Sequence, residues 1–269
     1  MSVLSVADTQ SAVSVLRLAA AYDSMRVETY RQKERLHNRI RVSSFDSAIA
    51  LRFDDVGYFN RVYSPDESVF ERLEEIEEFY RASPFGCELV GPPEWDRTVR
   101  RPGWYPSTQF AWMSAQASEI LNPVPSTIFD IRPVRPEERQ QYLVTYLRAF
   151  GAEDDRIPAA LRNMRHLFDL PELDFLIAWR ETAVAGVGSM MWWEGVAVLC
   201  AGAALPEFRA MGCHTALLRA RIQMACNRGC ERLYSWAVSG GQSQANMERV
   251  GLETVGITQA WRFSPRFGT

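Results

Sequence analysis

The fold is decided by one stretch of the chain, Leu205-Pro206-Glu207-Phe208-Arg209-Ala210-Met211-Gly212-Cys213-His214-Thr215-Ala216-Leu217-Leu218. The apolar run before it, residues 196–205, has the length and content of a buried strand. An amphipathic helix is predicted to begin near Thr215, and Gly229 stands where the cap of its C-terminus is expected. Residues 233–238 predict the next strand. The order of elements is therefore strand, glycine-bearing turn, helix and strand.

The turn at Gly212 brings backbone N–H groups together at the N-terminus of a helix. The first four N–H groups of a helix have no partner inside it, and the helix dipole adds partial positive charge at the same end. Such a group of donors makes a ready site for a phosphate. An ordinary βαβ connection would show the same order of elements, so the local pattern leaves both interpretations open.

Three segments carry a resemblance to a known family. They are the turn Arg209-Ala210-Met211-Gly212-Cys213-His214, the later segment Ser243-Gln244-Ala245-Asn246-Met247-Glu248-Arg249-Val250-Gly251-Leu252 and the upstream segment Phe129-Asp130-Ile131-Arg132-Pro133-Val134. The first resembles the pyrophosphate-binding motif of the GNAT (GCN5-related) N-acetyltransferases, Arg/Gln-x-x-Gly-x-Gly/Ala. The second resembles that family's late helix and the third its first strand. Residues 175–179 and 184–193 would be the second and third strands.

The resemblance extends from residue 128 to residue 264 and implies the α/β (α+β) GNAT fold, a mixed central sheet with flanking helices. It also implies that acetyl-CoA binds as a co-substrate. Two positions depart from the family pattern. His214 stands where the motif ends in Gly or Ala, and Met247 and Val250 stand where the family often has a tyrosine as general acid. Coenzyme binding is therefore better supported than the machinery for proton transfer.

Composition narrows the class of protein. The chain has 269 residues, enough for two domains, and with 47% hydrophobic and 23% charged residues it is typical of a globular protein. Thirty basic and 33 acidic residues give a net charge of −3, with no basic stripe, so we expect no nucleic-acid partner. No apolar run reaches the ~20 residues that span a bilayer, and no signal peptide is recognised, so we expect no membrane association.

The five cysteines predict a reducing environment. They are odd in number and scattered through the chain, which is typical of free thiols in the cytoplasm. Cys226 and Cys230 share a helix face, but no second pair of ligands accompanies them, so we expect no metal site. The prediction is a cytoplasmic protein without a metal.

The first half of the chain repeats the order of elements of the second. Its predicted elements are a helix over residues 9–38, strands at 48–53 and 57–63, a helix from 65 to 80, and strands at 87–90 and 108–114. We therefore predict two GNAT-like halves in tandem. Residues 1–121 would form a degenerate GNAT-like or cap domain, residues 122–127 a linker, and residues 128–269 the GNAT N-acetyltransferase domain.

The turn of the first half lacks the features of the second. Residues 64–68 contain no glycine, Pro65 has no N–H to donate, and Asp66 and Glu67 would repel a pyrophosphate. We therefore expect that the first half cannot hold the coenzyme. An unrelated α+β cap would show the same features and stays open as an alternative.

The expected coenzyme site combines backbone donors with a few side chains. The N–H groups of residues 211–215 would bind the pyrophosphate, and Arg209 would add charge unless it is a solvated surface arginine. The resemblance implies that N–H groups around residues 203–205 pair with the pantetheine arm, and that Asn246 holds the coenzyme or a loop. The expected coenzyme-binding residues are Ala203, Ala204, Leu205, Arg209, Met211, Gly212, Cys213, His214, Thr215 and Asn246.

Two residues are candidates for moving the amine proton. Glu194 follows Trp192 and Trp193, and a carboxylate beside apolar rings can have its pKa raised toward a useful range. A solvated turn glutamate is the alternative. His166 lies in a helical segment of the kind that often borders the acceptor site, although a lone helix histidine is more often structural. Direct transfer needs no nucleophile from Cys200.

The sequence thus predicts an acetyl-CoA-dependent N-acyltransferase. It would move an acetyl group to a primary amine of a small molecule or amino-acid-like acceptor, by direct attack in a ternary complex with the coenzyme A thioester. Two other functions stay open. One is a non-catalytic acyl-CoA-binding or regulatory module, which the absent tyrosine permits. The other is an acyltransferase for a longer or carrier-bound acyl group.

Overall fold

A computed structural model describes residues 12–36, 39–55, 57–97, 99, 101–120, 127–193 and 195–264. The chain divides into two compact units that are not continuous along the sequence. The first unit consists of Met1–Trp112, Ala237–Ser239 and Val255–Thr269, and the second of Met113–Trp236 and Gly240–Thr254. Each predicted domain, residues 1–121 or 128–269, is one continuous stretch of the chain. The compact units differ from this, because residues 237–239 and 255–269 belong to the first unit and residues 113–121 belong to the second.

The first unit is a sheet with helices. Its elements are α1 (Ala12–Lys33), β1 (Ile40–Phe45), β2 (Ala48–Phe53), β3 (Arg61–Tyr63), α2 (Leu73–Arg81), β4 (Cys87–Gly91), most of β5 (Trp104–Gln116) and most of the chain's last strand, β11 (Glu253–Phe263). β1, β2 and β3 form an antiparallel ladder, β3 and β4 are parallel, and β11 lies antiparallel to β4. The sheet of this unit is therefore mixed.

The second unit has its own mixed sheet. Its elements are β6 (Asp130–Pro133), α3 (Arg139–Ala149), α4 (Ile157–Met164), β7 (Leu173–Arg180), β8 (Ala183–Trp193), β9 (Val196–Ala204), α5 (Cys213–Asn227), the first part of β10 (Arg232–Val238) and α6 (Gln242–Arg249). β6, β7, β8 and β9 follow one another antiparallel, and β10 joins β9 in parallel. The predicted fold class, a mixed sheet with flanking helices, is confirmed.

Each unit has a core of its own. In the second, buried Cys213 and Leu217 on α5 pack with Leu176, Ala178 and Ala185 of the sheet. In the first, Trp95 and Trp261 stack with ring centroids 6.2 Å apart, inside a cluster built from β2, β3, α2 and β4. Since Trp261 lies on β11, the last strand of the chain completes the core of the first unit.

Several predicted elements of the first half have different limits. The helix expected over residues 9–38 is α1, which ends at Lys33, and the strand expected at 57–63 is a 3₁₀ turn, Gly57–Phe59, followed by the short β3. The sequence did not predict β1, whose side chains are mostly exposed, so its apolar pattern is weak. The predicted linker falls mainly on residues 121–126, which lie outside the described residues.

The predicted repetition of elements is present. β3, α2 and β4 form a parallel strand–helix–strand crossover in the first unit, and β9, α5 and β10 form one in the second. α2 follows a 3₁₀ turn, Glu67–Arg72, whereas α5 starts directly after the turn at Gly212. The turn between β3 and α2 therefore has the same place in its crossover as the turn at Gly212 between β9 and α5.

Candidate functional site

β9 and β10 begin side by side and then part. Their parallel ladder joins Val196–Val198 to Arg232–Tyr234, although β9 continues to Ala204. One residue later, the contact is made by a side chain, because Ser235 Oγ donates to the carbonyl of Leu199 at 2.8 Å. The second half of β9 therefore has one edge without a backbone ladder to β10.

A β-bulge interrupts β9 in this part of the strand. Val187 pairs with Ala203, but Ser189 pairs with Cys200, so Ala201 and Gly202 together face Gly188. Ala201 has a positive φ of 43°. A bulge of this kind bends the strand and turns backbone groups out of the ladder.

The ladder also decides which amides near the end of β9 face the open edge. The Leu205 amide donates to the carbonyl of Ala185 at 3.0 Å. In an antiparallel pair, alternate residues point their N–H groups to opposite sides. The Ala204 amide therefore faces the open edge, while the amides of Ala203 and Leu205 face β8. Of the three amides that were expected to meet the pantetheine arm, only that of Ala204 faces the open edge.

The turn after β9 leaves a row of amides free. Gly212 is the N-cap of α5 with a φ of 85°, and Ala210 has a φ of 60°. The first helical bond runs from the Ala216 amide to the carbonyl of Gly212. Among the described residues, the amides of residues 211–215 have no hydrogen-bond acceptor. A Cβ on Gly212 would meet nothing within 4 Å, so there is open space beside this residue.

Two arginines flank this turn. Arg209 Nη2 donates to the carbonyl of Ala149 at 3.0 Å, so its guanidinium caps the C-terminal end of α3 while its charge stays next to the turn. Arg180, the last residue of β7, has Nη1 3.1 Å from Met211 Sδ, a weak acceptor. The sequence did not single out Arg180, because the pairing of β7 with β8 brings it to the turn from 31 residues away.

His214 joins three elements around the bulge. Its Nδ1 lies 3.1 Å from Asn246 Nδ2 on α6, and its ring also contacts the backbone of Gly202. Burial, with a smaller contribution from the charge of Arg221, lowers the pKa of His214 from 6.5 to about 4. Asn246 also accepts from Gln242 and Arg249, so its side chain belongs to a network inside the protein. His214 is therefore neutral at physiological pH.

Arg221 is a buried cation below the same bulge. Only 1% of the residue is exposed, and Nη1 donates to the carbonyls of Ser189 and Cys200 at 3.1 and 2.6 Å. Its Nη2 has no hydrogen-bond partner. Burial lowers the pKa of Arg221 to about 10, which leaves it charged at neutral pH. This role could not be predicted from the sequence, because nothing in the residue pattern of the helix distinguishes Arg221 from its neighbours.

Of the two predicted proton carriers, the structure describes only His166. Glu194 lies outside the described residues, so its role stays a prediction. His166 lies in a 3₁₀ turn, where Arg165 Nε donates to its Nε2 at 3.2 Å and Asp169 Oδ2 lies 3.4 Å from its Nδ1. These contacts hold the ring within its own turn.

The equivalent turn of the first unit is closed. β3 pairs with β4 along its whole length, and the Ser64 amide extends that ladder to the carbonyl of Val90 at 3.4 Å. The Asp66 carboxylate accepts from the Ser68 amide at 3.0 Å, and its hydrogen bonds with Ser68 lower the pKa of Asp66. The first unit therefore supplies its own anion at the place where the second unit leaves amides free.

The second unit also has a cavity outside this site. It is open, has a volume of about 520 Å³ and runs along α3 beside Leu205, with Glu137 and Arg148 among its lining residues. Its lining does not include the bulge or the turn at Gly212.

Among the described residues, no group of His, Cys, Asp and Glu is arranged to hold a metal ion, and no helix is both long and apolar enough to cross a membrane.

The comparison with known proteins gives the same fold. The model of the acetyltransferase (GNAT) family matches residues 134–251. In structure, the chain is similar to a GCN5-related N-acetyltransferase from Kribbella flavida, with a TM-score of 0.62, 14% identity, and coverage of 91% of this chain and 95% of that one. It is also similar to a tandem GNAT protein from the clavulanic acid biosynthesis pathway, with a TM-score of 0.59, 9% identity, and coverage of 82% and 79%.

A third similar structure is a functionally unknown conserved protein from Staphylococcus epidermidis, with a TM-score of 0.66, 13% identity, and coverage of 84% of this chain and 94% of that one. No curated protein matches the chain in sequence. At these identities the likeness shows the fold, and its coverage extends over both halves of the chain.

The neutrality of His214 predicts a pH effect on stability. The unfolded chain takes up a proton near pH 6.5, whereas the folded protein accepts it only near pH 4. The stability contributed by neutral His214 is therefore complete above pH 6.5 and is lost as the pH falls toward 4. We expect the wild type to lose more free energy of unfolding between pH 7 and pH 5 than His214→Gln does, measured by urea denaturation. Parallel curves over that range would contradict it.

Proposed function

We propose that the chain moves an acetyl group from acetyl-CoA to a primary amine, and that it does so with residues 134–251, which the model of the acetyltransferase (GNAT) family matches. The acceptor in this proposal is a small molecule or an amino-acid-like amine. The observation that carries the proposal is the turn at Gly212, where the consecutive amides of residues 211–215 lack acceptors among the described residues. A diphosphate supplies acceptors of the right charge for a helix N-terminus.

Charge around the turn supports the same assignment. Arg180 and Arg209 both stand next to it, and neither forms a salt bridge with a carboxylate among the described residues. The side chain of Thr215 is half-buried on the first turn of α5, so its hydroxyl is available beside the free amides. These groups would hold the pyrophosphate of the coenzyme.

The open edge of β9 supports the placing of the pantetheine arm. Buried backbone groups need hydrogen-bond partners, and an extended arm that contains amides can supply them where β10 has turned away. The Ala204 amide is the donor that the ladder leaves for this purpose. The thioester would then lie toward the bulge at Ala201 and Gly202, where N–H groups turned out of the ladder can polarise its carbonyl.

The proposed reaction is a direct transfer. The amine nitrogen attacks the carbonyl carbon, a C–N bond forms, and the carbonyl electron pair moves to oxygen. When that pair returns, the C–S bond breaks and coenzyme A leaves as a thiolate that takes up a proton. The amine loses one proton to a base, so no oxidant or reductant enters the balance. The buried Cys200 thiol, which donates to the carbonyl of Val198, is not needed as a nucleophile.

The proposal also assigns a base. Glu194 is proposed for this role because it follows Trp192 and Trp193, and a carboxylate beside apolar rings can have its pKa raised toward a useful range. His166 is the second candidate. A cytoplasmic location is supported by the five cysteines, all of which are free thiols.

The first test replaces the glycine at the centre of the turn. Gly212→Glu places a side chain and a negative charge where the diphosphate would lie, so the affinity for acetyl-CoA should fall more than tenfold, about 1.4 kcal/mol. Isothermal titration calorimetry measures it. Gly229→Glu is a matched control, because Gly229 at the other end of α5 also has a positive φ, 73°, and open space around its Cβ position. Equal affinity in wild type and folded Gly212→Glu would refute the assignment.

The second test counts coenzyme sites. Because Asp66 already occupies the anion position of the first unit and β3 does not part from β4, acetyl-CoA should bind at one site per chain. Asp66→Ala should leave both the stoichiometry and the affinity unchanged in the same titration. A second equivalent site in the wild type, or a tenfold weaker affinity in Asp66→Ala, would show that the first unit also binds the coenzyme.

The third test concerns the base. Glu194→Gln should lower turnover by roughly 10²-fold with little change in acetyl-CoA affinity, if general-base catalysis has its usual size. The assay follows release of the free thiol from acetyl-CoA with a panel of amines. His166→Gln is measured beside it, and a normal rate in Glu194→Gln together with a loss in His166→Gln would move the role to the histidine.

A further inference from the structure

Arg221 clamps the sheet immediately before the bulge. Its Nη1 donates to the carbonyls of Ser189 on β8 and Cys200 on β9, and its Nε donates to the carbonyl of Leu217 on its own helix. Ser189 and Cys200 form the regular pair that precedes the bulge in β9. One guanidinium therefore holds both strands at the point where their register changes.

The same guanidinium touches the backbone of the bulge itself. A Cβ on Gly202 would lie 2.5 Å from Arg221 Nη2, and a Cβ on Gly188 would lie 3.0 Å from Arg221 Nε. Both distances are shorter than ordinary contacts. Gly188 and Gly202, which lie opposite each other at the bulge, have no side chain because Arg221 occupies the space that a Cβ would need.

Arg221 donates to backbone carbonyls but has no counter-ion in the part of the chain that the structure describes. Among the described residues, no carboxylate forms a salt bridge with it, and Nη2 has no acceptor although only 1% of the residue is exposed. An unpaired buried charge costs free energy, and apolar side chains of similar volume often replace buried charges without loss of stability. Stability alone therefore does not explain an arginine at this position.

The nearest titratable side chain on the first turn of α5 does not neutralise the charge of Arg221. This side chain, His214, contacts the backbone of Gly202 and is neutral at physiological pH. The bulge is thus a part of β9 with an uncompensated positive charge behind it. In a site of low dielectric, a fixed charge acts strongly on a negative charge that develops nearby.

We propose that Arg221 is a positioning residue for acyl transfer: it fixes the bulge of β9 and gives the bulge the positive potential that stabilises the oxyanion formed on the thioester oxygen. The inference rests on the proposed function, because it needs the thioester to lie at the bulge. It adds a role for a residue that does not itself touch the substrate.

The experiment compares three ligands by isothermal titration calorimetry. They are coenzyme A, acetyl-CoA and S-carboxymethyl-CoA, a thioether in which CH2 replaces the thioester carbonyl and a carboxylate replaces the acetyl methyl, so that a negative charge lies one bond from the position of the carbonyl at the bulge. In Arg221→Met, the preference for S-carboxymethyl-CoA over coenzyme A should fall about tenfold or more, or 1.4 kcal/mol. Affinity for coenzyme A itself should change little, since its pyrophosphate is held at the turn.

The controls separate charge from packing. Arg221→Lys keeps the charge and should keep most of the preference, and Arg219→Met, on the same helix, should keep all of it. Gly202→Ala pushes the guanidinium away from the bulge without removing the charge from the chain, and should lose preference as Arg221→Met does. This variant decides the question if Arg221→Met does not fold.

The outcomes are distinct. An unchanged preference in folded Arg221→Met, or in Gly202→Ala when the methionine variant does not fold, would overturn the inference while leaving the proposed function intact. If the wild type binds none of the three ligands, the proposed function fails, and the inference fails with it.

Discussion

Backbone hydrogen bonding is the constraint on which the site depends. A parallel strand pair that separates part-way leaves N–H and C=O groups that need partners inside the protein or from a ligand. In the second unit, β10 leaves β9 after Tyr234, and the bulge turns further groups out of the ladder with β8. Side chains replace some of the lost partners, because Ser235 donates to the carbonyl of Leu199 and Arg221 donates to the carbonyl of Cys200. The amides that are left free are the donors to which we assign the proposed coenzyme.

The first unit meets the same constraint in the opposite way. β3 keeps its ladder with β4 to the end, and the carboxylate of Asp66 satisfies an amide of the following turn. The chain thus contains the same crossover twice, once closed upon itself and once left open. This contrast supports the prediction that the first half is degenerate, because a carboxylate of the chain itself accepts from an amide of its turn.

The parts of the structure that were predictable from the sequence are local ones. The strand before the turn, the glycine at the N-cap and the helix after it depend on neighbours in sequence, and all three lie where they were expected. Long-range contacts were not predictable. The Arg209 bond to Ala149 spans 60 residues, and the approach of Arg180 to Met211 depends on sheet register. The bulge at Ala201 has no signal in residue type, because alanine and glycine also suit plain sheet packing.

The place of β11 has a consequence for how the protein is made. Trp261 stacks on Trp95 in the core of the first unit, and β11 pairs with β4, although the second unit lies between them in the sequence. During synthesis the first unit thus lacks one of its strands until β11 has been made, which follows the whole of the second unit. A truncation that removes β11 would therefore take a strand from the first unit. The crossover of the second unit, by contrast, is complete once β10 has been made.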